Sequence, residues 1–426
     1  MSAVPGSRGS GISPGDTPPV SIETPPSRAL YILYSHYPSD PRLRRQAEAL
    51  RDAGWEVIVL CLGVPGEPAT YELDGVCVVT HQRKRYRGKS VSRYLFEYLH
   101  FFAWAMRESY RRRRDFRFVH VHAPPDFLAF ASLPVKWAGT PVLLDIHDPT
   151  PELFAERFGI PRGNAIRISR IVERLSASAA DYILTSTEPM RRILVERGLP
   201  SNRVSVLLNL PEERIFWRDV IPAPPQRPVL AYHGTLVPRY GPQVLLEAAA
   251  LLAPAYPDLT VRIIGDGDQK PELLARAALP DLAGKVTFSP ERVPVNRIPV
   301  ALGRVTAGVV ANRAEGFTSV ILPTKLLEYL ALGIPPVVVR TKTIDYYFPP
   351  GELLTLERPE PRLLVEALRP LLANPELGYD LVSRGRGFFE RYAWNREREV
   401  YVKLVRTLVE QGTCRSPDGG ITPKKT

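Results

Sequence analysis

Short apolar runs alternate with longer amphipathic segments along most of this chain, the pattern of a parallel α/β architecture. RALYILYS, from Arg28, reads as a buried strand, HYPSDPRL as a loop, PRLRRQAEALRDAG as a helix closed by Gly54, and WEVIVLCLG as a second strand. Strand, helix and strand in that order form a βαβ unit, which demands a parallel sheet and places ligands at the loop after the first strand. GVCVVTHQ, FVHVHA, PVLLDIHD, DYILTST and RVSVLLNL are predicted as further strands, with helices in PPDFLAFASLPVKWAG, PTPELFAERFG, IRISRIVERLSASAA and EPMRRILVERG. PEERIFWRDVIPAPPQRP, Pro211 to Pro228, then breaks every periodicity and marks a linker. Beyond it PVLAYHG, DLTVRIIGDG, KVTFSP and TAGVVAN repeat the strand pattern, with helices in QVLLEAAALLAPAYP, QKPELLARA and VNRIPVALG. A helix from Glu360 and a long helical pair in GYDLVSRGRGFFERYAWNREREVYVKLVRTLVEQ end the ordered part.

The predicted domains are therefore a leader at 1–27, a first Rossmann-like domain at 28–215, a linker at 216–227, a second Rossmann-like domain at 228–390, a terminal helix at 391–411 and a tail at 412–426. The leader and tail are rich in Pro, Gly, Ser and Thr and carry no apolar signal core, so both are expected to be disordered.

The second domain is organised around ILPTKLLEYLALGIPPVV, Ile321 to Val338. It reads as a short apolar strand ending at Pro323, a helix from Thr324 capped by Gly333, and a buried strand after Pro335 and Pro336. Pro at the first helical position leaves backbone N–H groups free at the helix start, where they and the helix dipole favour an anion such as phosphate. Lys325 and Glu328 stand three residues apart, hence on one face of the first turn. A cation there can hold a diphosphate while a carboxylate accepts from a vicinal diol, although the same pair also suits an ordinary solvated face.

Composition narrows the function class only a little. At 426 residues and 44% hydrophobic the chain can bury two cores, and it has no run of apolar residues long enough to span a bilayer. Cys61, Cys77 and Cys414 form no paired or metal-like pattern, which suggests a reducing, cytoplasmic setting. The formal charge of +11 admits phosphates, nucleic acid or acidic lipid. Its densest part runs over 83–117, from RKRYRGK to RRRRDFR, around VSRYLFEYLHFFAWAMRESY. There Val91, Tyr94, Leu95, Tyr98, Phe102 and Ala105 make a helical stripe expected mostly in the core, while Phe96, Phe101 and Trp104 with the flanking arginines fit either an anionic membrane surface or a solvated basic face. Without a reading motif or an exposed stacking platform, nucleic acid is not expected as a partner.

The remaining candidate residues lie at strand ends. Asp40 and Arg42 follow the first strand and read either as site residues or as a helix cap with a first-turn neighbour. His147 and Asp148 lie at the carboxyl end of a predicted strand, where an imidazole can meet a sugar hydroxyl or a phosphate oxygen and Asp148 can alternatively cap the next helix. Gly234 and Gly241 allow close backbone approach with the Arg239 cation between them, and Gly265, Asp266 and Gly267 form a turn at a strand end. No G-x-G-x-x-G follows the first strand, which counts against a nicotinamide or flavin cofactor, and His120 and His122 lack a third ligand at metal-site spacing.

LPTKLLEYLALGIPPVV, together with SDPRLRRQAEALRDAGWEVIVL, VHAPPDFLAF through LLDIHDPTPELF, and the GDG turn, resembles the retaining GT-B glycosyltransferases of family 4, in a subgroup associated with bacterial surface polysaccharides. The resemblance covers roughly 28 to 410. It implies two Rossmann-like domains facing a cleft, with the last helix crossing back to the first. It further implies a nucleotide-diphosphate-sugar donor, a hydroxyl acceptor on a glycan or lipid-linked precursor, and no obligatory metal or other cofactor. Lys325 and Arg239 would then hold the diphosphate and His147 would contact the transferred sugar, these three carrying the chemistry. Gly234, Thr235, Gly265, Asp266, Gly267, Pro323, Thr324 and Glu328 would line the donor site, and Asp40, Arg42, Asp126 and Asp148 the acceptor side. Departures from the family pattern are Val320 in place of an upstream Glu, with Glu315 further back, and Thr235 and Tyr240 in places that usually hold Arg and Lys. A GT-B epimerase acting without an acceptor, and a non-catalytic partner subunit that binds the sugar nucleotide, are the alternative readings.

Overall fold

The computed structural model describes residues 27–413 except 84, 85, 87, 89, 159–162 and 292. The expected leader lies outside the described residues apart from Ser27, as does the tail beyond Thr413, and the basic cluster at 84–89 is described only in part.

The first lobe carries β1 (Arg28–Leu33), β2 (Glu56–Leu62), β3 (Thr70–Leu73), β4 (Val76–His81), β5 (Phe118–Ala123), β6 (Val142–Ile146), β7 (Tyr182–Thr185) and β8 (Val204–Val206). They form one sheet in the order β3-β4-β2-β1-β5-β6-β7-β8. Its pairings are parallel apart from the β3–β4 hairpin at the edge. The second lobe adds β9 (Val229–His233), β10 (Thr260–Ile264), β11 (Val286–Phe288), β12 (Ala307–Val310), β13 (Pro336–Val339) and β14 (Leu354–Leu356), all parallel, in the order β11-β10-β9-β12-β13-β14.

Chain order reverses at β1/β5 in one sheet and at β9/β12 in the other, and such switch points open a crevice at the strands' carboxyl ends. Helices cover both faces of each sheet and give each lobe its own pair of cores. In the rear lobe, Leu326, Leu327, Tyr329 and Leu330 of the helix Thr324–Leu332 are fully buried. That burial leaves Lys325 and Glu328 on the opposite stripe. The change of lobe falls at Leu207 and Leu208, which pack into different cores, so it begins before the proline cluster.

The last helix, Trp394–Thr413, crosses back and buries Tyr401, Val405 and Leu408 in the first lobe. Tyr401 donates or accepts at Tyr31 Oη, 2.6 Å away, and its hydroxyl also lies 2.9 Å from His120 Nδ1. The lobes touch directly: Thr187 Oγ1 donates to the Val320 carbonyl at 2.6 Å, and the Glu188 N–H donates to the Tyr347 hydroxyl at 2.9 Å.

Two expectations change. The apolar run before Pro323 is not a strand: Gly316–Ser319 is a single 3-10 turn, and the strand preceding the helix is β12. Val320 is drawn instead into the first lobe's core, and Pro323, which has no N–H to give a ladder, caps the helix. In the helix Val91–Arg111, Tyr94, Tyr98, Phe101 and Ala105 are core, whereas Val91, Leu95, Phe96 and Leu99 face out. Phe101 therefore belongs to the core stripe and Val91 and Leu95 to the outer one.

Candidate active site

The rear half of the site forms where β9 ends. Gly234 takes φ +121°, and its N–H donates to the Ile264 carbonyl at 2.9 Å. Gly265 packs so closely beneath that a Cβ there would collide with the Gly234 carbonyl oxygen. Above Gly234 the space is open except for Lys325, whose Nζ lies 3.8 Å from where a Cβ would stand. This bare stretch of backbone faces the first turn of the helix Thr324–Leu332, which starts at Pro323 without a side-chain cap.

Lys325 rests on aromatic rings, with Nζ 4.0 Å from the Tyr232 ring centre and 5.1 Å from that of Tyr240. The nitrogen is shielded from solvent and has no hydrogen-bond partner. Burial lowers its pKa from 10.5 to about 7, with Glu328 pulling weakly the other way. The Arg239 guanidinium carbon sits 5.2 Å from the Tyr240 ring and 5.5 Å from Phe317, and its Nε is also buried without a partner. Two cations thus share one aromatic seat and lack an anion, a costly arrangement unless a ligand supplies one.

Glu328 is held by His233, the last residue of β9, with Nε2 to Oε2 at 2.5 Å. The His233 N–H donates to the Tyr329 hydroxyl at 3.1 Å, which fixes the pair. Thr324 Oγ1 accepts from Asn209 Nδ2 at 3.3 Å, and Asn209 Oδ1 accepts from Arg45 at 2.9 Å, which ties the helix start to the first lobe. Gly265, Asp266 and Gly267 flank the β9 loop, the Asp266 carbonyl accepting from the Leu236 N–H at 3.0 Å. The Thr235 carbonyl accepts from the Tyr232 hydroxyl at 2.8 Å.

In the front lobe His147 follows β6 and keeps 21% of its side-chain surface. Its Nε2 points inward, 3.1 Å from His122 Nδ1 and 3.4 Å from Asp145 Oδ2. Asp148 follows it, partly exposed.

The other front-lobe candidates have partners within the fold. Asp40 caps the helix Pro41–Asp52, accepting from the Leu43 N–H at 3.2 Å. Arg42 is only 4% exposed and grips Asp145 through both oxygens at 3.0 and 2.9 Å while donating to the Leu207 carbonyl at 2.7 Å. Asp126 is 1% exposed and accepts from Thr150 Oγ1 at 2.7 Å, so both it and Arg42 are buried. Glu315 is exposed beside Ser319, Arg340, Lys342 and Asp345.

Tyr232, His233 and Asp145 are site residues that the sequence reading does not name, while Tyr240 enters it only as a departure from the family pattern. Of these only His233 had a sequence signal, as a polar residue ending a buried strand directly before the glycine. His120, His122 and Asp145 bring ligand-type atoms within 4.8 Å of one another. The Asp145 carboxylate is already bidentate to Arg42, whose charge opposes a second cation.

Two parallel-sheet lobes meeting at their carboxyl edges, with an anion-seeking helix start in the rear lobe and a C-terminal helix crossing to the front one, define the GT-B class. The chain belongs to the GT-B glycosyltransferases of family 4: residues 39–209 match the family Glycosyl transferase 4-like domain, and residues 213–388 match Glycosyl transferases group 1. It is 26% identical over 275 residues to a D-inositol 3-phosphate glycosyltransferase of Corynebacterium urealyticum, covering 59% of this chain and 63% of that protein. To the protein of the same name from Rhodococcus jostii it is 23% identical over 249 residues, or 55% and 54% of the two chains. The chain thus spans about three fifths or less of these relatives' lengths.

Among solved structures the fold is similar to sucrose-phosphate synthase from Thermosynechococcus elongatus, with TM-score 0.72, 17% identity, and 90% and 100% of the two chains covered. It is also similar to Anabaena HepE in complex with UDP-glucose, with TM-score 0.65, 13% identity, and 89% and 99% covered.

Proposed function

We propose that the protein transfers a sugar from a nucleoside diphosphate donor to a hydroxyl acceptor, with retention at the anomeric carbon and without a metal ion. The observation that carries this reading is the shielded, partnerless Lys325 ammonium above the bare Gly234 backbone, beside Arg239. A diphosphate placed there would satisfy both cations and the free N–H groups of the helix start. Glu328, steadied by His233, would accept from the ribose hydroxyls. HepE, of the same fold, is known in complex with UDP and UDP-glucose, which supports a uridine diphosphate sugar as the first donor to try.

In the reaction the bond between the anomeric carbon and the diphosphate oxygen breaks, the acceptor oxygen takes that carbon on the same face, and the acceptor proton passes to a donor phosphate oxygen. Negative charge grows on the leaving diphosphate, so preorganised cations and helix N–H groups lower the barrier, doing the work a metal would otherwise do. His147 faces the transferred sugar from the opposite lobe. Closure of the lobes keeps water from the oxocarbenium-like centre.

The acceptor we propose is a glycan or lipid-linked precursor at the cytoplasmic face of a membrane. Among the described residues no helix is long and apolar enough to cross a bilayer. Val91, Leu95, Phe96 and Leu99 of one helix, and Ile168, Ile171 and Leu175 of the helix Asn164–Ala179, are exposed beside Arg93, Arg107, Arg167 and Arg170. That mixture of apolar and basic side chains suits an anionic lipid surface.

Thermal shift against a panel of nucleoside diphosphate sugars, followed by anomeric assignment of the product, tests the reading. Stabilisation by one donor and an α-for-α product are expected. No response to any donor, or conversion of the donor without an acceptor as an epimerase would do, sinks it. Vesicles containing phosphatidylglycerol should sediment the protein, and Leu95→Glu with Leu99→Glu should release it.

A further inference from the structure

We propose that Asp145 and His122 are positioning residues that keep His147 in its Nε2–H form, so that Nδ1 presents a lone pair to the cleft and accepts from a hydroxyl of the bound sugar. The argument begins with what surrounds Nε2. His122 Nδ1 is 3.1 Å away and Asp145 Oδ2 is 3.4 Å away, and both are buried. A proton on His147 Nε2 points at a carboxylate and at a ring nitrogen able to accept. Placing the proton on His122 Nδ1 instead would aim the His147 lone pair at the carboxylate across 3.4 Å, too short a gap for a water to enter and screen the repulsion. The charge on Asp145 therefore favours this tautomer, at the cost of a buried His122 Nε2–H without a partner.

That charge is itself held in place. Asp145 is 0% exposed, and burial alone would raise its pKa. The Arg42 guanidinium and the neighbouring imidazole overcome this and hold it well below the usual carboxylate range. Gln46 Nε2 donates to the same oxygen at 2.9 Å. The two inner histidines stay neutral because burial lowers both, His120 to about 3 and His122 well below its ordinary value. Tyr31 Oη, 2.6 Å from Tyr401 Oη, and Tyr401 Oη, 2.9 Å from His120 Nδ1, close the inner end of the cluster. His147 is thus the partly exposed end of an otherwise sealed polar assembly. Its second nitrogen remains for a ligand, and a lone pair there selects a hydroxyl that donates.

The kinetic consequence rests on the proposed glycosyltransfer, whereas the tautomer does not, so the two are tested separately. Imidazole nitrogen shifts are recorded on the whole chain labelled with ¹⁵N-histidine at pH 8, with His147 identified by its absence in His147→Gln. A protonated Nε2 and a lone-pair Nδ1 are expected, and a protonated Nδ1 overturns the proposal. Asp145→Asn can place an amide N–H against Nε2 and is expected to move the proton to Nδ1. Should that variant fail to fold, the wild-type spectrum still decides.

With whichever sugar nucleotide proves to be the donor, the folded variant should lose about tenfold or more in kcat. Its Kd for UDP, which has no sugar to meet His147, should stay within about twofold. A proportionate loss in both would make Asp145 merely structural and also overturns the proposal. A correct tautomer with no turnover by any protein, wild type included, would fault the proposed reaction and leave the positioning intact.

Discussion

Lys325→Met separates a binding lysine from a structural one, because the two predict opposite signs in stability. The Lys325 pKa falls from 10.5 to about 7 through burial, which puts the cost of the charged form in the ligand-free protein at roughly 5 kcal/mol as an upper bound. An unfolded chain keeps that proton up to its ordinary pKa, so between pH 7 and 10.5 the unfolded state binds more protons and stability rises with pH. Methionine fills similar space without charge. The variant should melt above wild type at pH 6 to 7, with the difference closing toward pH 10. Donor binding should move the other way. A charged hydrogen bond is worth about 1.5 to 3 kcal/mol, hence about 10- to 150-fold weaker affinity for UDP. Wild-type affinity should also fall by up to about tenfold per pH unit above 7, since the protein must take up a proton to bind, and that slope should vanish in the variant. Calorimetric titration with UDP and thermal melts between pH 6 and 10 give all three quantities. Equal UDP affinity in the two proteins, or a variant that is both less stable and weaker, would refute the assignment.

Asp126 is a buried carboxyl raised from 3.8 to about 7 by burial, then by Glu173, against the Thr150 hydrogen bond. Between those values the unfolded chain has released a proton the native protein keeps, so stability is lost as pH rises through that window. Asp126→Asn should therefore gain about 1 to 3 kcal/mol at pH 8 and little at pH 4.5, and equal urea midpoint shifts at both would contradict this. Tyr401→Phe leaves the Tyr31 hydroxyl and His120 Nδ1 without their shared partner and should cost about 1 to 2 kcal/mol in chemical denaturation. Gly265→Ala forces a Cβ into the Gly234 carbonyl and should abolish the thermal shift given by UDP, while Gly284→Ala, whose added carbon meets nothing, serves as the control.

Most of the fold could be read from the order of apolar runs, because most of the parallel strands are buried on both faces and appear as short blocks. Where one block was misplaced, before Pro323, the reason is tertiary: Val320 serves the first lobe's core, a contact no local period reports. The outward row of the helix Val91–Arg111 differs from the expected stripe for a related reason. Its apolar residues wrap more than one face, and only the packing of Tyr98 and Phe101 against Tyr34 reveals which face lies inside. The β3–β4 hairpin is missing from the reading because TYEL alternates in burial and has no apolar block.

The site divides along the same line. Lys325, Glu328 and the glycine turns were legible because each is set by a local element: a helix start, one helical face, or a strand end where backbone must approach a ligand. Arg42 was not, since its partner Asp145 lies 103 positions away, and the same arginine reads equally well as a surface residue or a ligand contact until that carboxylate is found. The correction changes the chemistry assigned to the front lobe. An arginine facing the acceptor would add positive charge to the cleft, whereas an arginine held by Asp145 leaves the front wall with the His147 imidazole and Asp148. Among the residues proposed to touch donor or acceptor, the cations Lys325 and Arg239 then sit in the rear lobe, where a diphosphate would collect its charge, and the front lobe is left to distinguish hydroxyl groups. That asymmetry is what a leaving group turning anionic on one side of a reacting carbon, and a neutral nucleophile arriving on the other, require.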